Sequence, residues 1–243
     1  MNVGLYAGTG FLDALEEAEK ATPASLFGFA RPREETLGRP RLPLGFQHAC
    51  RSAFSALSAR MPGNGVIAVV SPHRGEGRSH VAAGLAAVIA GDTGSQALLV
   101  ELDFEQPSLA RLFRVSPLPG LADHLEGRGP LRVLSGAGQA IQLITAGGRE
   151  GSVAALLHRA ASLGIEQAVS ANRWVVLDLP PLLDRPEAGI LLSMADAFVL
   201  VGRYRQTLIT SLHRAARTLP ERPMGFFLAA NSSRVPVWLS RLL

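Results

Sequence analysis

The sequence predicts an α/β fold: a parallel sheet with helices on both faces, in three layers. Three observations carry that expectation. Apolar runs of strand length, rich in β-branched residues and without polar alternation, recur at 66–70, 97–100 and 174–177. Strands read this way when both faces of a parallel sheet are covered. Helix-suited segments separate them, which is the alternation of such folds. The first run also leads directly into a glycine-bearing turn, Ser71-Pro72-His73-Arg74-Gly75-Glu76-Gly77-Arg78-Ser79, and then into an alanine-rich helix. Strand, glycine loop and helix N-terminus together form a cradle of free backbone N–H groups, and the helix dipole favours an anion such as phosphate there.

Composition bounds the rest. With 243 residues, 47% of them hydrophobic, the chain can bury one substantial core. We expect a domain over 46–234, a flexible N-terminal appendage and linker over 1–45, and an apolar tail over 235–243. No uncharged apolar run reaches the ~18 residues of a membrane-spanning helix; Asp92 and Asp196 interrupt the longest candidates. No basic region followed by an apolar block opens the chain, so no signal peptide is expected. Cys50 is the single cysteine, which excludes an internal disulfide and fits a reducing cytosol. The formal charge is +4, and Lys20 is the only lysine among 24 basic residues. The arginines are scattered and read as solvated, so nucleic acid is not an expected partner.

Taken in order, 11–21 has helical spacing in Leu12, Leu15 and Ala18. Prolines 23, 32, 40 and 43 then break regular structure. Phe46 to Arg60 reads as a helix with Phe46, Cys50, Ala53, Phe54 and Leu57 on one face. After the loop and its helix, a strand at 97–100 ends in Glu101-Leu102-Asp103. Two carboxylates at i and i+2 of a strand end point the same way and could hold hydrated Mg²⁺ beside phosphate oxygens. Short helices are expected from Pro107 through Phe113 and at 120–125. A third strand is expected at 141–145, and then a helix capped by Ser152. The fourth strand ends at Asp178, facing the crevice where ligands sit in such sheets. A helix near 188–195, a fifth strand at 198–201, a helix at 207–219 and a sixth strand at 224–230 complete the series.

Three of these segments resemble motifs of the bacterial tyrosine kinases (BY-kinases), which are P-loop NTPases of the MinD/ParA type with a deviant Walker A loop. Residues 71–79 resemble that loop. Residues 98–103, with Pro107-Ser108-Leu109 and Leu112-Phe113, resemble the Walker A′ strand and its sequel. Residues 175–181 resemble Walker B, and Gly120-Leu121-Ala122-Asp123 a further family segment. A lone glycine loop recurs by chance, whereas three motifs in family order and spacing do not. The resemblance covers about 46–230.

The resemblance implies ATP or ADP with Mg²⁺ as cofactor. It places nucleotide contacts at Gly75, Glu76, Gly77, Arg78, Ser79 and His80, with Asn231 reaching the adenine. It places the metal at Ser79, Asp103 and Asp178, with Asp178 holding a metal-bound water, and makes Arg78, Glu101 and Asp103 the candidate catalytic residues. Glu76 also reads as a solvent-facing loop residue, and His73 as a plain turn residue. Two positions depart from the family. Arg78 stands where the family has Lys, a planar fork in place of a compact point charge. Glu101 stands where it has Asp, and ~1 Å of carboxylate displacement can cost ~10²-fold in rate. The family's C-terminal tyrosine cluster has no counterpart, since the two tyrosines are Tyr6 and Tyr204. In the helix before the first strand, only Arg51 matches the residues that assemble family rings.

Three functions stay open. The first is a catalytically impaired relative that regulates exopolysaccharide or capsule synthesis or export. It would work at the cytoplasmic face of a membrane polysaccharide co-polymerase, peripheral to the inner membrane, with self-association as a further option. The second is an active ATPase or protein-tyrosine kinase using Arg78 in place of the lysine. The third is a partition-type ATPase acting on DNA.

Overall fold

A computed structural model of the chain describes residues 37–229, apart from 39, 41, 62, 136–139 and 164–172. The expected helix at 11–21, the linker before residue 37, Asn231 and the tail over 235–243 lie outside the described residues. Helix α1 (Leu44–Ser58) follows Pro43. Strand β1 (Val66–Val70) leads through the glycine loop into α2 (Arg78–Thr93), and β2 (Gln96–Glu101) follows. Next come the short α3 (Leu109–Phe113) and α4 (Leu121–Leu125), and the strands β3 (Leu134–Ser135) and β4 (Ile141–Ile144). Helix α5 (Val153–Ser162), β5 (Arg173–Asp178), a 3-10 helix (Pro186–Met194), β6 (Ala197–Arg203), α6 (Ile209–Thr218) and β7 (Met224–Ala229) complete the described chain. Ser152 caps α5, accepting from the Ala155 N–H at 3.1 Å.

The strands form one seven-stranded sheet in the order β3-β4-β2-β5-β1-β6-β7. All neighbours pair in parallel except β3 with β4. Alternation along each strand divides the core in two. Val66, Ala68, Val70, Leu98, Val100, Val175 and Leu177 face the layer built by α4, α5 and the 3-10 helix. Ile67, Val69, Leu99 and Val176 face α1, α2 and α3. Every residue of β1 is buried, which is why its sequence shows no alternation.

The structure departs from the sequence expectations in three places. A two-residue antiparallel strand, β3, carries too few residues for any periodicity to show. The segment expected as an ordinary helix near 188–195 is a 3-10 helix; Ala188, Leu191 and Met194 are buried at intervals of three, the repeat of that helix. The packed chain also reaches back before residue 45. Leu37 is 1% exposed within the core under α1 to α3, and the Gly38 N–H donates to the Phe113 carbonyl at 2.9 Å.

Among the described residues, no helix is long and apolar enough to cross a membrane.

Candidate functional site

Parallel order brings the ends of β1, β2 and β5 together, because β5 lies between β1 and β2. Glu101 and Asp178 are register partners across β2 and β5. The glycine loop leaves β1 at the same edge. Gly75 (φ 77°) and Gly77 (φ 90°) both take left-handed backbone conformations, which glycine adopts without steric cost. They turn the chain so that α2 starts at Arg78. A cleft of about 1250 Å³ opens here, lined by residues 74–80, Asp103, Gln106, Arg111 and Arg203, with Phe46 and Phe227 to one side. It is large enough for a nucleotide-sized ligand.

The loop is held rigidly. The Ser71 hydroxyl donates to the His73 carbonyl at 2.9 Å. His73 sits between Asp184 (2.7 Å from Nδ1) and the Ser211 hydroxyl (3.1 Å from Nε2). The backbone N–H of Arg74 donates to Asp184 at 3.0 Å. Burial pushes the Asp184 carboxyl up, but the His73 and Arg74 contacts outweigh it and bring its pKa below the ordinary value. Glu76 is buried and not solvent-facing: its carboxylate accepts from the His73 N–H at 2.9 Å and from the Thr207 hydroxyl. His73 is likewise more than a turn residue, because it fastens the loop to two distant segments.

Arg78 is the centre of the site and is 8% exposed. Its Nε donates to Asp178 Oδ1 at 3.0 Å, its Nη2 to Asp103 Oδ2 at 2.8 Å, and its Nη1 to the Ser71 hydroxyl at 3.1 Å. The other oxygen of Asp103 accepts from the backbone N–H groups of Gln106 (3.1 Å) and Glu105 (3.3 Å). Asp178 is fully buried. Burial raises its pKa above the ordinary carboxylate value, against the pull of Arg78 and of the neighbouring Ser79 hydroxyl. Asp178 Oδ2 is buried without a hydrogen-bond partner.

That orphan oxygen, with Asp103 and Ser79 nearby, is the donor set a divalent cation takes. Arg78 already holds Asp103 Oδ2 and Asp178 Oδ1, so two of the expected ligand residues have a guanidinium as their counterion. With Arg78 in this place, the residues present do not fit a metal ion. Among the described residues, no group of three or more His, Cys, Asp or Glu side chains is arranged to hold one.

Glu101 does not join this cluster. It is fully buried, and one carboxylate oxygen accepts from the backbone N–H groups of Ser108 and Leu109, the latter at 2.7 Å. The other accepts from the Ala146 N–H at 3.1 Å. The expectation that Glu101 and Asp103 act as a pair is corrected for a geometric reason. Strand β2 ends at Glu101, so the two-residue alternation that aligns side chains stops before Asp103. The extra methylene of Glu lets its carboxylate bind the N-terminus of α3 and the segment after β4. Burial, then the charge of Asp178, raises its pKa to about 7 against those three donors.

Ser79 and His80 line the cleft. Arg51 pairs with Asp92 through Nε and, at 2.9 Å, through Nη2, tying α1 to α2 within the chain. Residues the sequence reading did not single out complete the wall. Arg74 pairs with Glu105, which also accepts from Arg185 at 2.8 Å. Arg74 Nη1 is buried without a hydrogen-bond partner, 3.9 Å from Asp103 Oδ2. Arg203 donates to the Gly75 carbonyl at 3.2 Å. Arg203 closes β6, so the rule that ligands meet strand C-termini could have found it. Arg111 carried no such signal.

No family model matches the chain. Over 194 residues it is 28% identical to the succinoglycan biosynthesis transport protein ExoP of Rhizobium meliloti, covering 75% of this chain and 25% of that protein. Over 176 residues it is 28% identical to EpsB of Ralstonia solanacearum, provisionally named a tyrosine-protein kinase, covering 70% of this chain and 23% of that one. The chain therefore spans about a quarter of the length of these curated relatives. The kinase domain of the Escherichia coli tyrosine kinase ETK superposes with a TM-score of 0.66 at 23% identity, over 84% of this chain and 86% of that one. The septum site-determining protein MinD of Pyrococcus horikoshii, solved with Mg-ADP, superposes with a TM-score of 0.57 at 19% identity, over 68% and 70%. The fold is that of the P-loop NTPases, shared with BY-kinase domains and MinD-type ATPases.

Proposed function

We propose that this chain, whose homologues are bacterial tyrosine kinases and ExoP-like proteins, is a catalytically impaired BY-kinase-like protein. On this reading it regulates exopolysaccharide or capsule synthesis or export. It acts at the cytoplasmic face of a membrane polysaccharide co-polymerase and is held at the inner membrane by that partner. The relatives' names support the setting, since one is a succinoglycan transport protein and another lies in a cps region.

The observation that carries the impairment is the Arg78 guanidinium bonded to both Asp103 and Asp178. Phosphoryl transfer rests on positioning and on neutralising charge that develops on the phosphate oxygens. In this cleft the loop backbone at Gly75 and Gly77, the start of α2, and Arg74, Arg111 and Arg203 can bind and orient a polyphosphate. The groups that would activate a nucleophile are occupied instead. Both Asp103 and Asp178 are bonded to Arg78, and Glu101 is bonded to backbone. The site therefore binds an anion and holds it, with Asp103 and Asp178 paired to the guanidinium and not open to a nucleophile.

The test is turnover. Purified protein with ATP and Mg²⁺ is expected to release phosphate, and to form phosphotyrosine on itself or on a co-expressed co-polymerase, far below the ~1 s⁻¹ at the low end of ordinary enzymes. Turnover at or above that rate overturns the impaired reading and favours the active ATPase or kinase.

A further inference from the structure

We infer that Arg78 stands in permanently for a divalent cation, so that this cleft takes a nucleoside di- or triphosphate without metal. The inference rests on the reading that the cleft binds nucleotide. It goes further by naming the ionic form of the ligand and the residue that selects it.

The geometry is that of a substituted counterion. The carboxylates of Asp178, at the end of β5, and Asp103, two residues past β2, with a serine beside the glycine loop, are oxygen donors of the kind a hard cation takes. Arg78 reaches across them with three separate N–H groups, to Asp178, Asp103 and Ser71, at 2.8–3.1 Å. The second oxygen of Asp103 is spent on the Glu105 and Gln106 N–H groups. A metal ion entering here would have to displace a bidentate, nearly buried guanidinium and then sit beside its positive charge. The orphan Asp178 Oδ2 alone cannot hold it.

The ligand side of the cleft is built for an uncompensated anion. A guanidinium has five N–H donors, and three of those on Arg78 are used, which leaves two for a phosphate oxygen. Arg74 brings a buried Nη1 with no hydrogen-bond partner. Arg111 and Arg203 line the same cleft, against the carboxylates of Glu76 and Asp103 alone. Fixed side-chain charge thus does the neutralising that Mg²⁺ does when it travels with a nucleotide. Arginine suits this role because it stays protonated and bonds two carboxylates through one rigid plane.

Calorimetric titration of the full chain with ATP, once with EDTA and once with millimolar Mg²⁺, tests the inference, together with the same pair on Arg78→Lys. For the wild type the expected affinity is equal within about threefold in the two buffers, or weaker with Mg²⁺. For Arg78→Lys, whose compact ammonium cannot span both carboxylates, Mg²⁺ is expected to tighten ATP by tenfold or more. A tenfold gain with Mg²⁺ in the wild type overturns the inference and leaves the nucleotide reading standing. No gain in a folded Arg78→Lys overturns the role given to Arg78. No heat in either wild-type buffer overturns the nucleotide reading and this inference with it. If Arg78→Lys does not fold, the wild-type pair decides alone.

Discussion

Arg78 Nε lies 3.0 Å from Asp178 Oδ1, and this bond joins the first residue of α2 to the last residue of β5. One ion pair thus links the loop that shapes the cleft to the buried strand at the middle of the sheet. Both partners are nearly or fully buried, and a buried pair behaves asymmetrically. Removing one member strands a charge in a poor solvent, whereas removing both can be close to neutral.

Arg78→Met is therefore expected to cost about 3–5 kcal/mol of unfolding free energy, because it leaves Asp103 and Asp178 without their counterion. Adding Asp178→Asn is expected to recover part of that loss. Urea unfolding of the two variants and the wild type measures it. Equal stability of Arg78→Met and wild type would mean that the guanidinium is not seated between the carboxylates.

Glu101 predicts a pH dependence. Its pKa is raised from 4.5 to about 7, first by burial and then by the charge of Asp178. Between those two values the unfolded chain has lost the proton that the folded chain keeps, so stability falls as pH rises. Unfolding free energy is expected to increase as pH is lowered from 7 toward 4.5, by up to ~1.4 kcal/mol per unit from this group. Glu101→Gln should flatten that slope, and Asp178, shifted the same way, should maintain a remainder. Asp123 and Asp184, whose pKa values are lowered, act oppositely: their stabilisation is present above the ordinary carboxylate range and is lost on further acidification. Urea midpoints across the range check this, and an unchanged slope in Glu101→Gln would reject it.

Gly120 offers a test of the fold beside the site. A Cβ there would lie 2.4 Å from the Gly147 nitrogen, 2.5 Å from its Cα and 2.6 Å from the Thr145 carbonyl oxygen. These are backbone atoms, fixed by the Leu121 N–H bond to the Thr145 carbonyl at 2.8 Å and by Asp123, which accepts from Gly120 and Gly148. Gly120→Ala is expected to lower stability by about 3 kcal/mol, the upper range for overpacking, measured by thermal or urea unfolding. A loss below ~1 kcal/mol would show that the two segments can part.

What could be read from the sequence follows from the range of the forces involved. The central strands were legible because burial on both sides leaves an uninterrupted apolar run. The glycine loop was legible because left-handed backbone selects glycine. Asp178 closes β5, the end of an apolar run, but it lies fully buried beneath Arg78. Glu101 was misplaced, because where a long carboxylate turns depends on which backbone donors come within its reach. Those donors, at Ser108 and Leu109 just downstream and at Ala146 45 positions on, reach it only through the way α3 and the segment after β4 pack on the strand end.

By itself the sequence determined the layered α/β plan, the glycine loop after the first strand and an arginine, Arg78, at the start of the helix that follows, since each is written in local pattern and residue type. Only the tertiary structure decided that Arg78 turns inward to Asp103 and Asp178, that Glu76 and His73 fasten the loop, and that Arg111 and Arg203 share its cleft. Those outcomes depend on distances between groups 25 to 138 positions apart, which no local pattern encodes and which parallel strand order alone brings together.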